Sequence, residues 1–124
     1  MKTIMFTGHR DCETDLTALD NIANLYDNCL WIHGGAVGFD IQVENFASSH
    51  NIKTEIYRPD YKRFHPKKAA LFRNKEMIAA CDIVVACYDG RKSGGTFFTI
   101  NEAKKASKKI ILVPAQHHKP TQSV

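Results

Sequence analysis

Ile83-Val84-Val85-Ala86-Cys87-Tyr88, followed at once by Asp89-Gly90-Arg91-Lys92-Ser93-Gly94-Gly95-Thr96, is the stretch whose reading decides the fold. Six uncharged residues in a row suit a strand buried on both faces, as in a parallel sheet. The glycine-rich loop then feeds a helix over residues 96–107, and Lys109-Ile110-Ile111-Leu112-Val113 returns as a strand stopped by Pro114. Strand, loop, helix, strand is a βαβ unit. The same alternation runs back to the first residues. Pro66 is placed to open a helix running to about Cys81, after a loop that begins at Arg58-Pro59. Residues 53–57 form a weaker strand. Phe39, Val43, Phe46 and Ala47 recur at helical spacing up to His50, and Cys29-Leu30-Trp31-Ile32-His33 before them is a strand stopped by Gly34-Gly35. Leu16, Leu19, Ala23 and Tyr26 mark one further helix face, and Thr3-Ile4-Met5-Phe6-Thr7 a strand closed by Gly8. The expected fold is α/β: a three-layer Rossmann-like sandwich with a five-stranded parallel sheet. It spans residues 3–113, with a polar, loose C-terminal tail over 114–124.

Composition agrees. With 124 residues, 44% hydrophobic and 24% charged, the chain is one domain able to bury about two-thirds of its open-chain surface. The longest apolar run is far short of the roughly 20 residues that span a bilayer. No signal-peptide core precedes the first strand, so a soluble cytoplasmic protein is expected, with no membrane partner. Cys12, Cys29, Cys81 and Cys87 include no C-x-x-C pair, which favours reduced structural thiols over a metal site. The net charge of +4 is lopsided: residues 1–57 carry −5 and residues 58–124 carry +9, with seven cations between Arg58 and Lys75. Such a stretch is a solvated face or an attractor of phosphates.

Open parallel sheets bind ligands at the carboxyl ends of their strands. Three loops on that edge are unusual: Thr7-Gly8-His9-Arg10, His33-Gly34-Gly35-Ala36-Val37-Gly38-Phe39-Asp40, and Ser93-Gly94-Gly95-Thr96 with its approach. Each feeds a helix N-terminus, where backbone N–H groups and the helix dipole favour an anion. Gly34 and Gly35 are expected to let a sugar lie close, and the amides of Gly94, Gly95 and Thr96 to hold a phosphate. On the third helix, Asn74 falls in the middle of the apolar stripe Ala70, Leu71, Met77, Ile78 and Cys81, with Arg73 at its flank. A helix seeking only stability would place an aliphatic residue there. Either Asn74 clamps a neighbouring loop, or Arg73 and Asn74 reach a ligand's phosphate or carboxylate. Asp40 caps its helix or reaches a ribose hydroxyl. There is no Walker A lysine, no G-x-S-x-G elbow and no G-x-G-x-x-G, so kinase, hydrolase-triad and ordinary dehydrogenase chemistry drop out, and no cofactor is expected.

Taken together, Thr7-Gly8-His9-Arg10-Asp11, His33-Gly34-Gly35-Ala36 with Gly38 and Asp40, Ala69-Ala70 with Arg73-Asn74 and Met77, Asp82-Ile83-Val84-Val85, and Gly94-Gly95-Thr96 with Ala103 resemble the SLOG superfamily. The nearest branch is the small YspA/YpsA-like one, and the resemblance covers about residues 3–113. It implies a Rossmann-like sheet that binds a nucleotide or nucleotide-derived ligand, of the ADP-ribose kind used as signals in bacterial conflict systems. It also implies assembly into a homo-oligomer. The superfamily includes the DNA-processing protein DprA and the LOG phosphoribohydrolases. In the LOG enzymes the helix arginine acts with a glutamate three residues after the Gly-Thr. Arg73 matches that arginine, but Thr99 stands where the glutamate should be, with Glu102 a further turn along. The branch's usual Trp after Arg-Asp is Cys12 here.

Three functions are therefore weighed. The first is nucleotide binding by Gly8, His9, Arg10, Gly34, Gly35, Asp40, Arg73, Asn74, Ser93, Gly94, Gly95, Thr96 and Thr99. The second is N-glycosidic hydrolysis, with Glu102 or Asp40 as the carboxylate. The third is DprA-like binding of single-stranded DNA by Tyr57, Tyr61, Phe64 and Phe72 interleaved with Arg58, Lys62, Arg63, Lys67 and Lys68; nucleic acid ranks behind the small ligand.

Overall fold

The computed structural model describes residues 1–117; residues 118–124 of the tail, His118 among them, lie outside the described residues. In chain order the elements are β1 (Thr3–Gly8), β2 (Cys12–Glu13), α1 (Leu16–Leu25), β3 (Leu30–His33), α2 (Phe39–Ser49), β4 (Thr54–Ile56), α3 (Pro66–Ala80), β5 (Ile83–Cys87), α4 (Gly95–Lys105), β6 (Lys109–Val113) and β7 (Gln116–His117). Five strands form a parallel sheet in the order β4-β3-β1-β5-β6.

Period-two alternation divides each central strand between two cores. Ile4, Phe6, Trp31 and Val85 face Leu19, Ile22, Phe39, Val43 and Phe46 of α1 and α2. Met5, Ile32 and Val84 face Met77, Ile78 and Ala103 of α3 and α4. Trp31 is the centrepiece of the first core, 4.4 Å from the Phe6 ring and stacked on Phe46 at 5.7 Å. No helix among the described residues is long and apolar enough to cross a membrane.

The helix starts differ in a way that matters for the site. Asp15 caps α1, its carboxylate accepting the Ala18 N–H at 2.8 Å. Helices α2 and α4 instead start from Gly38 and Gly94, neither with a side-chain cap. Gly94 has φ 91° and ψ 179°, a backbone region open essentially to glycine alone. At Gly38, with φ 84°, a Cβ would run into the Arg10 carbonyl. Both glycines are demanded by the backbone.

The loose tail expected after Val113 is corrected in its described part. Gln116 and His117 pair antiparallel with Glu13 and Cys12. The chain leaving β1 passes the end of β6, and two residues from each side close a short ladder that buries Cys12. The sheet order also shows where the expected ligand edge would lie. From β1 the chain builds β3 and β4 on one side, then crosses back to add β5 and β6 on the other. The crevice beyond the carboxyl ends of β1 and β5 is the switch point where such sheets bind ligands.

Candidate functional site

A cavity of about 410 Å³ opens at that switch point, within the range of small-molecule sites. The end of β1 and its loop contribute Gly8, His9 and Arg10, α2 contributes Asp40, α3 contributes Arg73 and Asn74, and the start of α4 contributes Gly94, Gly95 and Thr96. Three loops far apart in sequence thus meet at one place.

Asp40 is 7% exposed and sits in the first turn of α2. Its Oδ2 accepts the N–H groups of Gly34 at 3.1 Å and Ala36 at 3.2 Å. Its Oδ1 is buried with no hydrogen-bond partner. Burial pushes the carboxyl above its ordinary range, against the pull of the neighbouring charges and N–H groups. A buried carboxylate oxygen without a partner is costly, and this one belongs to a residue lining a cavity. Beneath the same loop, His33 is fully buried: its Nδ1 accepts the Gly35 N–H, so its Nε2 donates to Glu44 at 2.7 Å. His33 is a packed support of the loop.

Arg73 acts as a brace. Its Nη1 donates to the carbonyls of Gly34 at 2.8 Å and Tyr57 at 3.1 Å, and its Nε donates to Asn74 Oδ1 at 2.8 Å. Asn74 is 7% exposed, and its Nδ2 lies 3.9 Å from where a Cβ on Gly95 would stand. One side of Asn74 holds Arg73, and the other faces the start of α4.

The glycines divide by what fills the space of their missing side chains. At Gly8 that space holds the Phe39 ring, at Gly34 the Arg73 guanidinium, and at Gly35 the Arg58 guanidinium. Gly34 and Gly35 thus seat arginines against the backbone, where a sugar was expected, and they line a neighbouring cavity. Gly95 meets nothing closer than Asn74, and Gly94 nothing within 4 Å. Those two leave open room at the first turn of α4.

Besides Gly34 and Gly35, three expected residues fall outside this cavity's lining. Ser93 is exposed. Thr99 is fully buried, its Oγ1 without a partner. Glu102 is corrected as a site carboxylate. Three residues after Thr99 is 300° around the helix, and that rotation carries Glu102 to the outer α3–α4 surface, where it pairs with Lys75 at 3.6 Å and Lys105 at 3.2 Å.

Sequence reasoning missed a charged knot at the cavity wall, to which Asp11 and Arg91 belong together with the expected His9. Arg91 Nη2 pairs with Asp11 at 3.0 Å and Asp89 at 2.6 Å, and His117 Nε2 meets Asp89 Oδ2 at 2.9 Å. His9 Nε2 stands 3.3 Å from the Asp89 N–H and 3.1 Å from its Oδ1. Asp11, Cys12 and His117 place their donor atoms within 4.8 Å of one another. These donors are engaged: Asp11 accepts from Arg91 and from the Cys12 thiol, and burial pushes that thiol up to about 11. The visible signal was Asp89-Gly90-Arg91, whose two-residue spacing lets Asp89 accept from its own turn and from the Arg91 fork.

The knot gives a pH prediction. Hydrogen bonds from Arg91 hold the Asp89 carboxyl well below its usual range. Its stabilisation is therefore complete above the unfolded value of about 3.9 and is lost as pH falls below it. Burial lowers the His9 imidazole, so stability also declines as pH drops below about 6.5, where unfolded histidine takes a proton more readily. Asp89→Asn should lower the melting temperature throughout pH 8 to 5, somewhat more toward the acid end because the Asp89 charge opposes the lowering of His9, the gap closing only below about pH 4. Melting curves from pH 3 to 8 check this; a gap that closes near pH 6.5 would assign the effect to histidine instead.

No family model matches this chain. It is similar to the Gene 61 protein of Mycobacterium phage D29, 32% identical over 121 residues, covering 90% of this chain and 95% of that protein. Among solved structures its fold is shared with DNA processing protein A (DprA) of Streptococcus pneumoniae, with TM-score 0.73 and 16% identity. The match covers 94% of this chain and 51% of the DprA chain, so this protein spans about half of that relative.

Proposed function

The chain belongs to the family of the Gene 61 protein of Mycobacterium phage D29, and we propose that its members bind a nucleotide or nucleotide-derived ligand in the switch-point cavity. Asp40 carries the reading: the residue lines the cavity, and its buried Oδ1 has no hydrogen-bond partner. A ribose hydroxyl is the donor that would satisfy it. The uncapped start of α4 at Gly94, Gly95 and Thr96 offers backbone N–H groups to a phosphate, with the Thr96 hydroxyl and Arg10 beside them. The SLOG-like motifs support the same ligand class. Binding is favoured over cleavage because the carboxylates are committed. Glu102 lies on the outer face, Asp11 is tied to Arg91 and Asp40 holds two loop N–H groups. N-glycosidic hydrolysis would rest on Asp40 alone.

Thermal shift and calorimetry with AMP, NAD, ADP-ribose and cyclic ADP-ribose test the proposal. A ligand at 100 times its Kd should add about 2.7 kcal/mol of stability. Asp40→Asn should weaken ribose-bearing ligands about tenfold, the scale of one charge-assisted hydrogen bond, and leave inorganic phosphate unaffected. No stabilisation by any of the panel would sink the reading.

A second reading, single-stranded DNA binding, is favoured by the surface of α3 and the loop before it. Phe64 and Phe72 are 4.5 Å apart, Arg63 lies over the Phe64 ring, and Tyr61 is 59% exposed. The fold shared with DprA supports it. Oligonucleotide affinity should then fall steeply with salt and vanish when Lys62, Arg63, Lys67 and Lys68 become Ala, a change that leaves nucleotide binding intact under the preferred reading.

A further inference from the structure

We infer that the nucleotide cavity is one of two joined subsites, and that the ligand carries a second nucleotide-like unit linked through phosphate. The inference rests on the nucleotide reading above. A second cavity, about 350 Å³ against about 410 Å³ for the first, adjoins it. The two share Arg10, Ala36, Ala70 and Arg73, while Gly34, Gly35, Arg58 and Tyr61 belong to the second alone.

Three guanidinium groups border this second space, from Arg10, Arg58 and Arg73. Among the described residues none of them has a carboxylate partner. By contrast, Arg91 at the other end of the site is paired with two carboxylates. The arrangement is also built into the backbone. Gly35 has φ +72°, and a Cβ there would stand 2.6 Å from Arg58 Nη1; the Arg73 guanidinium fills the same space at Gly34. Both glycines exist to let arginines lie flat on the loop.

Arg73 is already held by two carbonyls and Asn74 and feels the Asp40 charge. Arg10 and Arg58 are thus the cations left facing this space, and they repel their neighbour until an anion joins them. The phosphate proposed for the first cavity is served by the start of α4, which does not line the second. Arg58 lines only the second. That space calls for an anion of its own, and a phosphate linking the first nucleotide to another unit reaches it through the shared wall at Arg10 and Arg73. The exposed ring of Tyr61 gives the second unit a face to stack on.

Calorimetry on the intact protein with AMP, ADP-ribose, the 5′-phosphorylated ribodinucleotide pApA and its hexanucleotide counterpart tests this. Two-unit ligands should bind about tenfold to a hundredfold tighter than AMP, the span of one or two charge-assisted contacts. Arg58→Ala should erase that gain and leave AMP within about twofold, because the altered side chain lies outside the first cavity. Tightest binding of ADP-ribose would identify a diphosphate-linked small molecule. A further gain from pApA to the hexanucleotide would identify a strand. Equal affinity for AMP and both two-unit ligands overturns the inference, as does an Arg58→Ala variant that weakens AMP equally. If AMP and every other probe fail to bind, the nucleotide reading falls first, so the two failures are distinguishable.

Discussion

Gly95→Asp is expected to abolish nucleotide binding, by at least about a hundredfold, while the protein melts where the wild type does. A carboxylate at this position would stand in the open space at the first turn of α4, where the phosphate is proposed to sit. Two like charges about 4 Å apart at an effective dielectric near 20 repel by roughly 4 kcal/mol, more than enough for the loss. The fold should tolerate the change for two reasons. The nearest atom to a Cβ at 95 is Asn74 Nδ2 at 3.9 Å, and Gly95 does not have the positive φ of its neighbour Gly94. An acidic residue in a first helical turn is itself stabilising by about 0.3–1 kcal/mol. Gly94→Ala is the informative contrast: there φ is 91°, so it should lose stability instead. Calorimetry and melting curves on both variants suffice; a Gly95→Asp protein that binds AMP normally would remove α4 from the site.

That contrast marks where the sequence could be read and where it could not. Apart from the weaker β4, the strands of the main sheet were legible because each is a short, largely apolar run bounded by glycine, proline or charge; Lys109–Val113 is found where the pattern places it, and β5 differs only in ending at Cys87. The three loops were legible as one edge because a parallel sheet sends every strand-to-helix loop to the same side. Strands β2 and β7 were not, since two residues have no period and their pairing joins chain positions more than a hundred apart. The glycines show a subtler limit. Gly8, Gly34, Gly35 and Gly95 are equivalent in sequence, yet at three of them the place of the missing Cβ is filled by Phe39, Arg73 and Arg58, and only at Gly95 is it left open. Which atom occupies the place of an absent Cβ is set by tertiary packing alone. Glu102 was misplaced for a related reason: three places on, a helical residue lies about 4.5 Å farther along the axis and about 60° off, and here two lysines hold it on the outer face.

Arg73→Ala carries the other large expected effect, and here geometry changes what the motif suggests. Read as a ligand arginine, its loss costs affinity and leaves the fold unharmed. In the folded protein its Nη1 ties the carbonyl of Gly34 to that of Tyr57, and its Nε holds Asn74. The side chain therefore joins α3 to the two loops that follow β3 and β4. Gly34 is buried, so its carbonyl loses a charged donor without gaining water. Hydrogen bonds to charged groups contribute about 1.5–3 kcal/mol each; with Arg73 half-buried, a net loss of about 2–3 kcal/mol and a melting temperature lower by roughly 10 °C are expected. Affinity should fall as well, because Asn74 would turn without its partner and the Gly34–Ala36 loop that Asp40 holds would loosen. Arg73→Lys separates the two contributions. A lysine keeps the charge but cannot reach two carbonyls and an amide from one planar fork. If the brace dominates, the lysine variant melts nearly as early as the alanine variant. If charge toward the ligand dominates, the lysine variant binds nearly as well as wild type and the alanine variant keeps the wild-type melting temperature. The second outcome would return Arg73 to the role the motif alone suggests.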